Sequence, residues 1–420
     1  MKAVVLILDL TNDCNLRCSY CYASGGERAD CLSVSDAVLA IEKFYNRFKC
    51  QIQVLFHGGE PLLCFDSIQK IISITETKDF SDYISWFIQT NGVLLSQEKI
   101  DFLKYNNVNI GISLDGVTDE SNCSRKKING QPSTKETISA LNLLHKSGIS
   151  TSILTVVNAN NYSLILHELK VLISMGIRNV ALNPYISAGR GSIANLGVTN
   201  EQMFNLFKDL SDMILSLYYK DNIIFIEKNL FHIVKKIVTG GNSYMCMSNP
   251  CGAGLSQFTV APNADVYPCA DLCGQKHFIL GNIGEDFFPK IPSCEGWREI
   301  RSYKLQNLTG CKKCTLIKTC PAGCSVRCYY SNDSVHSTDP LCGFYKLILP
   351  YLDDTGLAKK IYNIYVRVYL KTVNMPKQRV FSACCTPFFL AIHKVFLRKN
   401  GFIKRKIPRC WSYSRFSDRP

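Results

Sequence analysis

The sequence predicts an α/β chain in which a parallel sheet is followed by a cysteine-rich module. Three observations predict it. Six β-branched or apolar runs of strand length alternate with helical patterns up to residue 219, the signature of a parallel sheet with right-handed crossovers. Polar motifs fall directly after the first four of those runs, where α/β sheets carry their chemistry. From about residue 240, Cys, Gly and Pro become dense and helical periodicity fades, so that segment depends on bound metal more than on an apolar core.

Strands are expected at 3–9, 52–57, 84–90, 108–114, 150–157 and 179–186. Helical patterns lie near 34–48, 65–76, 96–106, 134–147, 162–175 and 200–219. Ser33 and Ser133 are positioned to cap two helices, and Gly148 and Gly176 to end two. The motifs at the strand ends are Thr11–Cys21, Gly58–Pro61, Asn91-Gly92 and Asp115-Gly116.

Apolar residues make up 46% of the 420, enough for a large core, and the mean hydropathy is near zero. No run reaches the roughly 18 apolar residues of a membrane span. The N-terminal apolar stretch passes directly into Thr11-Asn12-Asp13-Cys14, which is a strand pattern and not a signal peptide. A cytoplasmic protein is the expectation. The chain has 21 cysteines; disulfide frameworks of that density belong to small secreted scaffolds, so the tight groups here point to metal. The net charge is +14, and residues 351–420 carry 15 Lys and Arg against Asp353, Asp354 and Asp418. The basicity therefore belongs to a tail. An apolar stretch at 380–392 precedes its cationic end, which fits a docking helix, membrane-surface contact, an acidic-peptide site or a solvated appendage. No aromatic-interleaved platform accompanies it, so nucleic acid is not expected as a partner.

Cys14-x3-Cys18-x2-Cys21 lies on the loop leaving strand one. Three thiolates cannot complete the usual four-cysteine shell of a cubane cluster, and one iron stays open to a small molecule. Structural zinc takes four protein ligands, so a zinc knuckle would need a distant fourth. The spacing, with its setting LTNDCNLRCSYCY, resembles the radical S-adenosylmethionine (SAM) superfamily. That resemblance implies a partial (β/α)6 TIM-like barrel. It also implies a 4Fe-4S cluster on Cys14, Cys18 and Cys21, which binds SAM through its open iron and cleaves it reductively to a 5′-deoxyadenosyl radical.

Further motifs match family positions. Phe56-His57-Gly58-Gly59-Glu60-Pro61-Leu62 resembles the motif for the methionine amino group: glycines allow close backbone approach, and Glu60 can accept from an ammonium. Asn91 and Ser113 also fit. By the same resemblance Arg125 engages the cofactor's carboxylate or ribose, although it equally reads as a surface cation beside Lys126 and Lys127. Tyr20 resembles an aromatic contact to adenine. His57 is expected to pack at its strand end.

Residues 244–345 hold eleven cysteines. Cys311-x2-Cys314-x5-Cys320-x3-Cys324 with Cys342, and Cys251 and Cys269 upstream, resembles the SPASM domain. The resemblance implies two auxiliary 4Fe-4S clusters: one on Cys251, Cys269 and Cys324 with Cys246 a candidate fourth ligand, the other on Cys311, Cys314, Cys320 and Cys342. A pair of zinc sites is the alternative, since Cys-x2-Cys is also a zinc spacing. At 264 the family has Gly where this chain has Ala, a strained choice if the turn requires positive φ. The remaining cysteines read as buried reduced thiols.

These features divide the chain into 1–239 (core barrel), 240–348 (auxiliary-cluster domain) and 349–420 (basic extension). The resemblance implies an enzyme acting on a peptide or protein to form a thioether or carbon–carbon cross-link. Its partners would be an external flavodoxin- or ferredoxin-type electron donor and a separate leader-binding protein. Formylglycine formation on sulfatases is an alternative, weakened because the position after Cys269 is Ala270, with Asp271 following. A radical dehydrogenase or epimerase on a small molecule, an iron–sulfur electron carrier and a zinc-stabilised binding module are the others.

Overall fold

The computed structural model describes residues 3–241 and 245–373; the apolar stretch and cationic end of the tail, with Cys384, Cys385 and Cys410, lie outside the described residues. Six parallel strands form first: β1 (Ala3–Asp9), β2 (Gln51–His57), β3 (Ile84–Thr90), β4 (Asn109–Ser113), β5 (Ser152–Val157) and β6 (Asn179–Pro184). Between them run α1 (Val34–Phe48), α2 (Phe65–Glu76), α3 (Gln97–Tyr105), α4 (Thr134–Lys146) and α5 (Ile165–Ser174). After β6 come a single turn α6 (Gly191–Ala194), α7 (Asn200–Asp221), the short β7 (Ile226–Glu227) and α8 (Lys228–Thr239). Strands β1 to β7 pair in chain order, all parallel. β1 is buried on both faces from Val4 onward, which is why it reads as an unbroken apolar run and not as an alternation.

The cysteine-rich segment does not stand apart from this sheet. β8 (Gln257–Val260) pairs parallel with β1, and β9 (Asp265–Tyr267) and β10 (Gly281–Asn282) follow antiparallel, giving one ten-stranded sheet with β10 and β7 at its edges. Four helices complete the described chain: α9 (Glu295–Ser302), α10 (Ser325–Asn332), α11 (Cys342–Asp354) and α12 (Leu357–Val373). α11 and α12 pack on α7 and α8 through Phe207 against Phe344 and Phe231 against Tyr365, each with ring centroids 5.2 Å apart. Ile361, Ile364 and Tyr365 are buried, so the beginning of the 349–420 segment is part of the core.

Local signals explain most boundaries. Ser33 caps α1 by accepting from the Asp36 N–H at 3.0 Å. Gly148 and Gly176 follow α4 and α5 with φ of +68° and +91°, as helix ends require. Ser133 differs from expectation: it precedes α4 but makes no cap bond, because its hydroxyl donates to the Arg125 carbonyl at 2.6 Å. The strain expected at Ala264 is present, with φ of +65°. A left-handed non-glycine residue costs about 1–2 kcal/mol, and the turn is held by the Ala264 carbonyl, which accepts from the Ile283 N–H at 2.9 Å. Among the described residues no helix is long and apolar enough to cross a membrane.

Candidate functional site

The carboxyl ends of β1 to β6 and the loop after β9 line one cavity of about 430 Å³. Cys14, Cys18, Cys21, Tyr20, Gly58, Gly59, Glu60, Asn91, Ser113 and Arg125 all face it. The wall after β2 is packed directly on the loop after β1. Gly59 N–H donates to the Thr11 carbonyl at 2.7 Å and Glu60 N–H to the Asp13 carbonyl at 2.9 Å. A Cβ on Gly59 would stand 2.0 Å from the Asp13 carbonyl oxygen. Gly59→Ala is therefore expected to push these two loops apart and to lower cofactor cleavage at least tenfold, measured as 5′-deoxyadenosine formed per loaded protein.

Glu60 is buried and organises the wall. Its carboxylate accepts from Leu62 N–H at 3.0 Å, Thr90 hydroxyl at 2.6 Å and Asn91 N–H at 2.8 Å. Burial raises its pKa, opposed by these three bonds and by the Arg125 charge, so a cation placed beside it favours the ionised form. The Tyr20 hydroxyl donates to Asp115 at 2.6 Å and accepts from Arg125 at 2.7 Å. Arg125 is 7% exposed, which decides against the surface-cation reading. Asn91 donates to Asn15 at 2.8 Å, and Ser113 accepts from Gln89 at 2.8 Å.

Two arginines hold the triplet loop. Arg17 donates to the carbonyls of Cys14 at 2.6 Å and Gly26 at 2.9 Å. Arg190, which sequence reasoning missed, donates from the loop after β6 to Cys18 at 3.1 Å and Gly25 at 3.0 Å. Its signal was Ala188-Gly189-Arg190-Gly191: Gly189 has φ of +52°, and a Cβ there would stand 2.4 Å from the Tyr22 carbonyl oxygen. Only glycine lets that loop approach the triplet.

Cys246, Cys269 and Cys324 open on the same cavity. The charge of Cys251 helps to push the Cys246 thiol up, and the charges of Cys246 and Cys324 help to push Cys269 up. Cys311, Cys314, Cys320 and Cys342 form a separate mutually interacting set. Among the described residues no three His, Cys, Asp or Glu side chains are close enough to share a single metal ion, so fit rests on donor chemistry. Burial pushes the Cys14 thiol up to about 12, with the charges of Glu60, Cys18 and Cys21 adding to it. Thiols grouped this way become thiolates only against a strongly cationic centre, and a multi-iron cluster suits an all-thiol donor set. The residues fit the group.

His57 departs from its expected packing role. β1 and β2 run parallel with Asp9 and His57 in register, and His57 Nδ1 lies 3.2 Å from Asp9 Oδ1. His57, Ala270 and Asp271 line the cavity. Burial lowers the His57 pKa, but the Asp9 bond and charge, with Asp271 and Glu60, carry it above the ordinary 6.5. A raised imidazole pKa stabilises the fold fully below the unfolded value and loses that contribution as pH rises through the folded value. The stability difference between wild type and His57→Gln is therefore expected to be largest below about pH 6.5 and to shrink above it, as urea unfolding at several pH values will show.

Comparison with known proteins places these features. Residues 8–171 match the model of the Radical SAM superfamily, and 251–315 match that of an iron–sulfur cluster-binding domain, SPASM. An uncharacterised protein of Methanocaldococcus jannaschii, MJ0907, is 34% identical over 178 residues, 42% of this chain and 61% of its own length; the chain thus matches less than two thirds of that relative. The serine-type anaerobic sulfatase-maturating enzyme of Bacteroides thetaiotaomicron is 28% identical, covering 81% of this chain and 88% of its own. A solved structure of anSMEcpe with bound AdoMet and the Cp18Cys peptide has the same fold, with a TM-score of 0.75, 23% identity, and coverage of 87% of this chain and 100% of that one.

Proposed function

Because this chain is a radical SAM protein with a SPASM iron–sulfur domain, whose cofactors are 4Fe-4S clusters and S-adenosylmethionine, we propose that it oxidises a side chain of a peptide or protein substrate to form a thioether or carbon–carbon cross-link. The observation that carries the reading is the continuity of one cavity, in which the triplet and the Gly58–Glu60 wall share a space with Cys246, Cys269 and Cys324.

Cys14, Cys18 and Cys21 would hold the cofactor-binding cluster, and Cys246, Cys251, Cys269 and Cys324 the first auxiliary one. Cys311, Cys314, Cys320 and Cys342 would hold the second. When bound, these groups supply a 5′-deoxyadenosyl radical, the acceptor for a hydrogen atom from an unactivated carbon. The chain's own residues do the rest. Glu60, anchored by three bonds, offers its remaining lone pair to an ammonium. Arg125 and Ser113 face the same space for a carboxylate or hydroxyl, and Tyr20 presents its ring. Leu154, Leu182, Met203 and Phe207 form an apolar wall that excludes water. Besides the abstracted hydrogen atom, a two-electron oxidation gives up one proton and one electron: the Asp9–His57 pair with Asp271 is placed to accept the proton, and the auxiliary clusters would take the electron.

Formylglycine formation is a second reading, favoured by Asp271 lining the cavity although it stands one residue beyond the expected position. Both readings require a one-electron donor of flavodoxin or ferredoxin type, and a separate leader-binding protein is a further partner proposed for the cross-link reading. The free thiols of the described chain fit a cytoplasmic setting. Anaerobic reconstitution with metal analysis, followed by dithionite reduction with SAM, is the test: iron with 5′-deoxyadenosine is expected, and zinc without iron overturns the reading. Co-expression with a neighbouring short reading frame rich in Cys, Ser or Thr is expected to give a peptide lighter by two hydrogens; an unmodified peptide overturns the peptide substrate.

A further inference from the structure

Cys31 and Cys64 lie outside the cavity and belong to neither cysteine group. Their Sγ atoms stand 3.8 Å apart, against about 2.04 Å in a disulfide. Cys31 is exposed and Cys64 half-buried. Both sit on segments the fold holds firmly. Cys31 bridges to Thr11, Leu32 N–H donates to the Leu10 carbonyl at 2.9 Å, and Asn12 N–H donates to the Asp30 carbonyl at 3.0 Å. Cys64 ends the turn Pro61–Cys64, which Glu60 caps, and precedes α2 without making a cap bond. The two thiols are thus brought together by the same packing of the loop after β1 on the turn after β2 that builds the cofactor wall.

We propose that Cys31 and Cys64 are a reversible dithiol–disulfide pair, with Cys31 the reacting thiol and Cys64 the resolving one, exchanging with low-molecular-weight disulfides. An exposed thiol beside a second thiol has the arrangement of a redox-responsive pair. Burial and the neighbouring Cys31 push Cys64 up to about 12, which keeps it protonated until Cys31 has become the electrophile. In the first step the Cys31 thiolate attacks one sulfur of oxidised glutathione, and one glutathione thiolate leaves. Cys64 then gives its proton to solvent and attacks the Cys31 sulfur, and the second glutathione thiolate leaves. Two protein thiols lose two electrons, and one glutathione disulfide becomes two thiols.

The test uses cluster-loaded wild type, Cys31→Ser and Cys64→Ser, held anaerobically with oxidised glutathione, alkylated and mapped by mass spectrometry. The wild type is expected to give a Cys31–Cys64 linked peptide that excess reduced glutathione reverses. Cys64→Ser is expected to hold glutathione on Cys31 at roughly tenfold the wild-type level, and Cys31→Ser to give neither product while keeping its iron and its 5′-deoxyadenosine formation. Equal glutathione on Cys31 in wild type and Cys64→Ser, or no modification of Cys31 in either, overturns the proposal.

Discussion

Cys18→Ala is expected to abolish formation of 5′-deoxyadenosine while leaving the auxiliary iron in place. The loss follows from ligand number: three thiols stand on the first cavity wall, and two cannot hold a cluster that already lacks its fourth protein ligand. Cys18 is also where the loop is gripped from across the barrel, by Arg190 on its carbonyl at 3.1 Å, so the loop stays folded when the sulfur is removed. About a third of the iron should go, one cluster of three, because the other eight cysteines are on segments the substitution does not touch. Iron analysis with the charge-transfer absorbance of the variant checks both halves. Loss of all the iron would mean that the triplet nucleates the whole assembly, and retained cleavage would exclude Cys18 as a ligand.

Asp339→Ala is expected to do the converse, removing the auxiliary iron and destabilising the fold by about 3–5 kcal/mol, the cost of breaking a buried ion pair. Asp339 is 6% exposed. Its carboxylate pairs with Arg327 at 2.7 Å and accepts from the backbone N–H groups of Cys324 and Leu341. Its carbonyl accepts from the Cys342 N–H at 2.8 Å. One residue therefore ties Cys324, of the first set, to Cys342, of the second. The fit is close: a Cβ on Gly323 would stand 2.5 Å from the same carboxylate, at a φ of +71°. Asp339→Asn keeps the shape but not the charge and should fall between the two. Urea unfolding and iron content measure the effect, while iron bound at the triplet should persist at the lower denaturant concentrations.

Both experiments bear on how much of this site was legible beforehand. The triplet, Glu60 and Asn91 were readable because each follows a strand in a short motif, whereas Ser113 and Arg125 were reached through the family resemblance and Arg125 read equally as a surface cation. The structure brings all of them to one cavity. The Asp9–His57 pair, Asp339 and the Cys31–Cys64 pair were not readable, and of Arg190 only the flanking glycines were. Arg190 reaches Cys18 across 172 positions and His57 meets Asp9 across 48, and no local periodicity encodes such pairings. Ser133 shows the same effect on a small scale: its position before α4 suggests a cap, yet a tertiary partner, the Arg125 carbonyl, takes the hydroxyl.

The sequence by itself determined the six strands and their helices, the open three-cysteine shell after β1 and the existence of a second cysteine array, because strand runs, helix caps and ligand spacing are written within a few residues of one another. Only the tertiary structure decided that β8 joins β1 in a single sheet, that the triplet shares a cavity with Cys246, Cys269 and Cys324, and that Asp9 stands against His57. Those outcomes depend on which strands become neighbours and in what register, and register is settled by burying both faces of the sheet at once, a property of the whole core and of no single segment.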